Sequence, residues 1–133
     1  MGFAAFVAWM LTATAGAYLL VKWLANGGRG TKVTRFPMLV VIGHPLAAVL
    51  GLAIFVLYLI TGRGWAAWAA FGALLVVVFQ GFVLLTRWQV GRGGRHARDA
   101  EQPYPARAMV LHGVVAAATF VLVFLTALRT GRF

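Results

Sequence analysis

Four apolar runs dominate this chain, each long enough to cross the ~30 Å hydrocarbon core of a bilayer at ~1.5 Å per helical residue. They cover roughly 2–24, 37–61, 65–88 and 105–128, and none carries Asp, Glu, Lys or Arg in its central part. A segment in lipid must satisfy its own backbone polar groups, so runs of this length fold as helices. The 133 residues leave only short connections between the runs, and a composition that is 62% hydrophobic with two acidic residues lies far from a soluble average. The expected fold is all-α: an integral membrane four-helix bundle in up-down-up-down order, one transmembrane domain over 1–133. The first run has no basic stretch before it and no soluble mature domain after it, which marks a retained helix rather than a secretory signal.

A net charge of +10 would point to nucleic acid in a soluble protein. Here the basic residues sit between the apolar runs, where they act as topology signals and contacts for anionic lipid. Lys22, Arg29, Lys32 and Arg35 flank the first connection, and Arg87, Arg92, Arg95, Arg98 and Arg107 flank the third, against only Arg63, Arg129 and Arg132 on the other side. The positive-inside rule therefore places loops 25–36 and 89–104 in the cytoplasm and both termini outside, in the plasma (cytoplasmic) membrane. Trp23 and Trp88 fall at the expected inner boundary and Trp65 and Trp68 at the outer one, positions suited to interfacial anchors.

The chain also repeats itself. Gly16-Ala17-Tyr18-Leu19-Leu20-Val21-Lys22-Trp23 returns as Gly81-Phe82-Val83-Leu84-Leu85-Thr86-Arg87-Trp88, and Phe36-Pro37 followed by His44 returns as Tyr104-Pro105 followed by His112. The offset is 65 at the tryptophans and 68 at the prolines and histidines, so two helical hairpins differ by three residues in the cytoplasmic loop. Two hairpins in the same membrane orientation imply a pseudo-two-fold axis along the membrane normal. Each proline fits the first turn of its helix, where the N–H it lacks is unpaired anyway. Thr61-Gly62-Arg63-Gly64 is so short that the helices on either side must be antiparallel neighbours.

His44 and His112 each follow their proline by seven residues, which puts both imidazoles at one depth, ~10 Å into parallel helices. In an up-down-up-down bundle these helices are diagonal, roughly 12 to 14 Å apart. That gap accommodates imidazole, iron and imidazole, and a porphyrin already supplies four in-plane nitrogens, so two axial histidines complete the coordination. Zinc or copper would demand three or four protein ligands, and the chain has no cysteine and no membrane carboxylate to provide them. Gly43 and Gly113, beside the histidines, would make room for a macrocycle edge, with Ala47, Ala48, Ala116 and Ala117 close by and Phe55, Phe79, Phe82 and Phe120 as apolar walls. Arg35 and Arg107 lie where propionates would emerge. Pro45 frees the Val41 carbonyl, which, with its neighbours, is a candidate acceptor for a ligand's ring N–H. Two other readings compete: histidines that only hydrogen-bond across a helix interface, and a proton or substrate pathway. The second lacks an intramembrane carboxylate to continue a relay. His96, in the charged loop, reads as solvated, and Gln80 as an interhelical hydrogen-bonding group.

With Phe36-Pro37 to His44 and Tyr104-Pro105 to His112 on four spans, the plan resembles the membrane-anchor b-type cytochromes, the cytochrome b561-like and dehydrogenase-anchor subunits. The resemblance is architectural and matches no specific family. It implies one heme b per chain on His44 and His112, an electron-transfer or heme-binding subunit of a larger redox complex rather than an enzyme alone, and a quinone or another membrane subunit, or a second copy of the chain, as partner within the lipid bilayer. Full axial ligation leaves the iron no open position. A cofactor-free accessory or assembly subunit of a membrane complex is the alternative from a different class.

Overall fold

The apolar runs are four helices in the computed structural model, which describes residues 1–28, 36–91 and 105–131: α1 (Gly2–Ala25), α2 (Met38–Thr61), α3 (Gly64–Gly91) and α4 (Ala106–Arg129). All four are long and apolar enough to cross a membrane. Local chemistry ends them where the sequence breaks. At the end of α1, Gly27 takes φ +82°, and the amides of Gly27 and Gly28 turn back onto the carbonyls of Leu24 and Trp23. This is the left-handed glycine cap that satisfies carbonyls a helix end would leave bare. Gly62 does the same for α2, at φ +67° with its amide on Tyr58. Pro37 and Pro105 are the residues just before α2 and α4, one position earlier than a first-turn placement, and their carbonyls accept the first amides of each helix.

The helices alternate in direction, as the up-down-up-down order requires. Adjacent pairs are not packed alike. The α2–α3 and α1–α4 pairs pack closely, α1–α2 and α3–α4 more sparsely, and α1 with α3 and α2 with α4 face each other along the diagonals. Two opposite sides of the bundle are therefore tight and two are loose. Each tight pair joins one helix from the first sequence repeat to one from the second, so the hairpins that repeat in sequence are not the units that pack.

Buried side chains form two clusters. One holds Ala5, Trp9, Phe55, Ala70, Leu74, Val77 and Val123; the other holds Trp23, Phe36, Val41 and Trp88, with Leu20, Leu84 and Met109 against it. Burial follows the repeat: Ala5 and Ala70, Trp9 and Leu74, Trp23 and Trp88 pair at the offset of the first motif, and Phe55 and Val123 at that of the second. Lipid is as apolar as these side chains, so packing and close approach hold the helices together. Gly51 illustrates the point, because a Cβ there would come within 3.1 Å of the Trp9 ring and of Ala73. Trp9 fills that space and stacks at a tilt on Phe55, centroids 5.8 Å apart.

Trp23 and Trp88 depart from the anchor reading. They are 2% and 9% exposed, packed inside the end of the bundle, whereas Trp65 is 47% exposed. Gly28 covers the Trp23 ring so closely that a Cβ there would overlap it. On the outside, Leu39, Ile60, Phe79 and Val90 are exposed, as lipid requires. The outward hydroxyls of Thr14, Thr61 and Thr86 bond the carbonyls of Met10, Leu57 and Phe82 one turn back, so none is left bare in hydrocarbon.

Candidate functional site

The two histidines meet at the waist of the bundle, the level between the two apolar clusters. The ring centroids of His44 on α2 and His112 on α4 are 6.3 Å apart, with the ring planes at 68°. Each ring is tethered to a helix of the other repeat. His44 Nδ1–H donates to the Val77 carbonyl of α3 at 3.0 Å, and His112 Nδ1–H donates to the Thr12 carbonyl of α1 at 3.0 Å. A carbonyl can only accept, so both imidazoles carry a proton on Nδ1, and in the neutral form each presents Nε2 as a lone pair.

Glycines make the tethers possible. Four residues beyond Thr12 stands Gly16, where a Cβ would lie 3.0 Å from His112 Cε1; four residues beyond Val77 stands Gly81, where a Cβ would lie 3.3 Å from His44 Cε1. Positions i and i+4 share one helix face, so each ring lies over a glycine and reaches the carbonyl one turn away. Thr12 and Val77, like Gly16 and Gly81, are related by the tryptophan offset of the repeat. The two half-sites are copies of one design around the pseudo-two-fold axis.

A pair of hydroxyls braces the waist between α1 and α4. The Thr12 and Thr119 hydroxyls lie 2.9 Å apart between α1 and α4, and each also reaches the carbonyl four residues back, Ala8 and Val115. Two protons serve three contacts, so one hydroxyl gives up its backbone bond to join the helices. Val77 and Gly51 occupy the equivalent positions and carry no hydroxyl.

The other expected site residues are placed differently. Gly113 is exposed, with nothing within 4 Å of where its Cβ would be, and Gly43 faces the Gln80 amide at 3.1 Å. Arg107 is exposed among the outward-facing Val110, Leu111 and Val114, and Phe79 and Phe82 also face out. Arg35 and His96 lie outside the described residues. The ring N–H groups go to Val77 and Thr12 rather than to the carbonyl that Pro45 frees. Gly16 and Gly81 opened both copies of the repeated motif, and their equal offset was the signal that they share a role.

Among the described residues no group of three or more His, Cys, Asp or Glu gathers, so no protein-only metal cage exists there. An ion that brings its other ligands with it would need only two donors of this kind. Metal–imidazole bonds of ~2.0 Å, with each nitrogen ~1.1 Å from its ring centre, put two imidazoles on opposite sides of one metal at a centroid separation of ~6.2 Å. Each Nδ1–H rests on a backbone carbonyl, the kind of partner that orients a histidine where one ligates a metal. No protein-family model, no curated protein and no solved structure matches this chain. Its class is that of the integral-membrane four-helix bundles, an architecture consistent with the cytochrome b561-like fold class.

Proposed function

We propose that this chain is a bis-histidine b-type membrane cytochrome carrying one heme on His44 and His112, acting as an electron-transfer or heme-binding subunit of a larger redox assembly. The observation that carries the reading is the pair of crossed tethers: two imidazoles from the two repeats, 6.3 Å apart, each held by its Nδ1–H with Nε2 free. A purely structural histidine would need one good hydrogen bond; it would not need a counterpart at the same depth with the same tautomer. A flat ligand wider than the waist would extend toward the sparsely packed α1–α2 and α3–α4 sides. Bound heme supplies a one-electron iron couple. The protein's part is to hold both ligand rings in register, keep them neutral and donor-free at Nε2, and exclude water with the apolar clusters on either side. In the orientation we propose from the basic residues, loops 25–36 and 89–104 are cytoplasmic, and a quinone or another membrane subunit exchanges the electron.

The test is a reduced-minus-oxidised visible spectrum of the detergent-purified chain with pyridine hemochrome stoichiometry. A low-spin b-type spectrum at about one heme per chain is expected from a two-ligand site. A chain that stays colourless after hemin addition refutes the reading and leaves the accessory-subunit alternative.

A further inference from the structure

Among the described residues, two buried side-chain polar atoms have no hydrogen-bond partner: Trp23 Nε1 and Gln80 Oε1. The Trp23 case is the more constrained, because an indole N–H can only donate and the side chain is 2% exposed. A donor buried without an acceptor bears its full desolvation cost, and such groups in native structures call for an explanation. It belongs to a cluster of hydrophobic side chains with Phe36, Val41 and Trp88, against which Leu20, Leu84 and Met109 pack. That cluster adjoins the waist directly. Val41 and Met109 stand three residues before His44 and His112, and Trp23 stands seven residues beyond Gly16, ~10 Å along α1.

A ligand held at the waist with an anionic edge toward this end would bring the missing acceptor. Arg107 is exposed beside the outward-facing Val110 and Leu111, so it does not meet that edge from inside. Building on the cytochrome reading, we propose that the Trp23 indole N–H holds a carboxylate side arm of the macrocycle, fixing which edge of the ligand faces the first and third connections. Hydrogen bonds to ionised acceptors are the strong ones, and here water is excluded.

The experiment is a cycle that changes both partners. The full-length wild-type chain and Trp23→Phe are titrated with hemin and with hemin dimethyl ester, whose side arms carry no charge. The wild type should prefer hemin by roughly tenfold more than Trp23→Phe does, the size expected when one charge-assisted hydrogen bond is lost. Equal preference in both proteins, with low-spin heme bound in each, overturns the Trp23 assignment and leaves the histidine ligation standing. Failure of the wild type to bind either porphyrin overturns both. Because Trp23→Phe loses packing, the wild type supplies a second readout: with diamagnetic cobalt(III) protoporphyrin, the Trp23 indole proton should shift downfield for the free acid and stay in place for the dimethyl ester. An unchanged indole proton with the free acid bound overturns the assignment independently.

Discussion

Replacing Gly16 by alanine tests the geometry of the waist without touching a histidine. The new methyl would sit 3.0 Å from His112 Cε1 and 3.5 Å from its Nδ1. Ordinary carbon contacts lie at ~3.5–4.0 Å, so the ring must give by a few tenths of an ångström. The tether to Thr12 starts at 3.0 Å, and a shift of that size away from α1 stretches it toward ~3.5 Å, the limit of a hydrogen bond. Losing an interhelical bond in a membrane costs ~0.6–1.7 kcal/mol, while a ring that stays put suffers overpacking of ~1–3 kcal/mol. These are alternative responses to one displacement, so they do not add, and about 1–2 kcal/mol is expected. Alanine also gains up to ~1 kcal/mol over glycine in helix propensity. Gly113→Ala measures that gain alone, because nothing lies within 4 Å of its Cβ position. The assay is unfolding in detergent followed by circular dichroism, read as the difference between the two variants. Gly81→Ala, whose methyl would meet His44 Cε1 at 3.3 Å, should fall between them. Equal stability of Gly16→Ala and Gly113→Ala would refute the reasoning.

His44→Ala and His112→Ala should each abolish heme retention while leaving the protein in the membrane, and His96→Ala should leave the spectrum unchanged; low-spin heme in both membrane-histidine variants removes the ligand assignment. Gly51→Ala, with a Cβ 3.1 Å from the Trp9 ring and Ala73, should cost about 1–3 kcal/mol by overpacking, and a detergent unfolding curve like the wild type's would contradict the packing described. The sequence has no cysteine, so Arg63→Cys and Asn26→Cys report orientation cleanly: an impermeant thiol reagent added to intact cells should label the first and spare the second, and the reverse pattern inverts the topology.

The four spans and the histidine pair were legible because each is a property of one segment, a run length or a spacing from proline. What surrounds the rings depends on how helices are rotated against one another, which no single segment encodes. Gly43 and Gly113 are sequence neighbours of the histidines, yet adjacent residues on a helix point ~100° apart, so they cannot lie on the ring's own face. Arg107 comes five residues before His112, ~140° around the helix by the same rule. Trp23 and Trp88 carry an anchor's composition at an anchor's position, but the glycine cap of α1 folds Gly28 over Trp23 and closes that end of the bundle. Comparing the repeats with each other would have gone further, since Thr12, Gly16, Val77 and Gly81 keep one offset although only the glycines are identical.

The crossed tethers set an order of assembly. A chain inserted from its N-terminus delivers His44 to the bilayer before α3 exists, so the imidazole lacks its Val77 partner until α3 arrives, and Thr12 waits longer still for His112 on α4. Neither hairpin can complete its half-site alone. Two separate copies of one ancestral hairpin, however, would complete each other, each lending a carbonyl and a glycine to the histidine of its twin. On that view the single chain is a homodimer whose subunits became joined through Gly62 and Arg63. Co-expressed fragments 1–62 and 63–133 should then recombine in the membrane where either fragment alone does not.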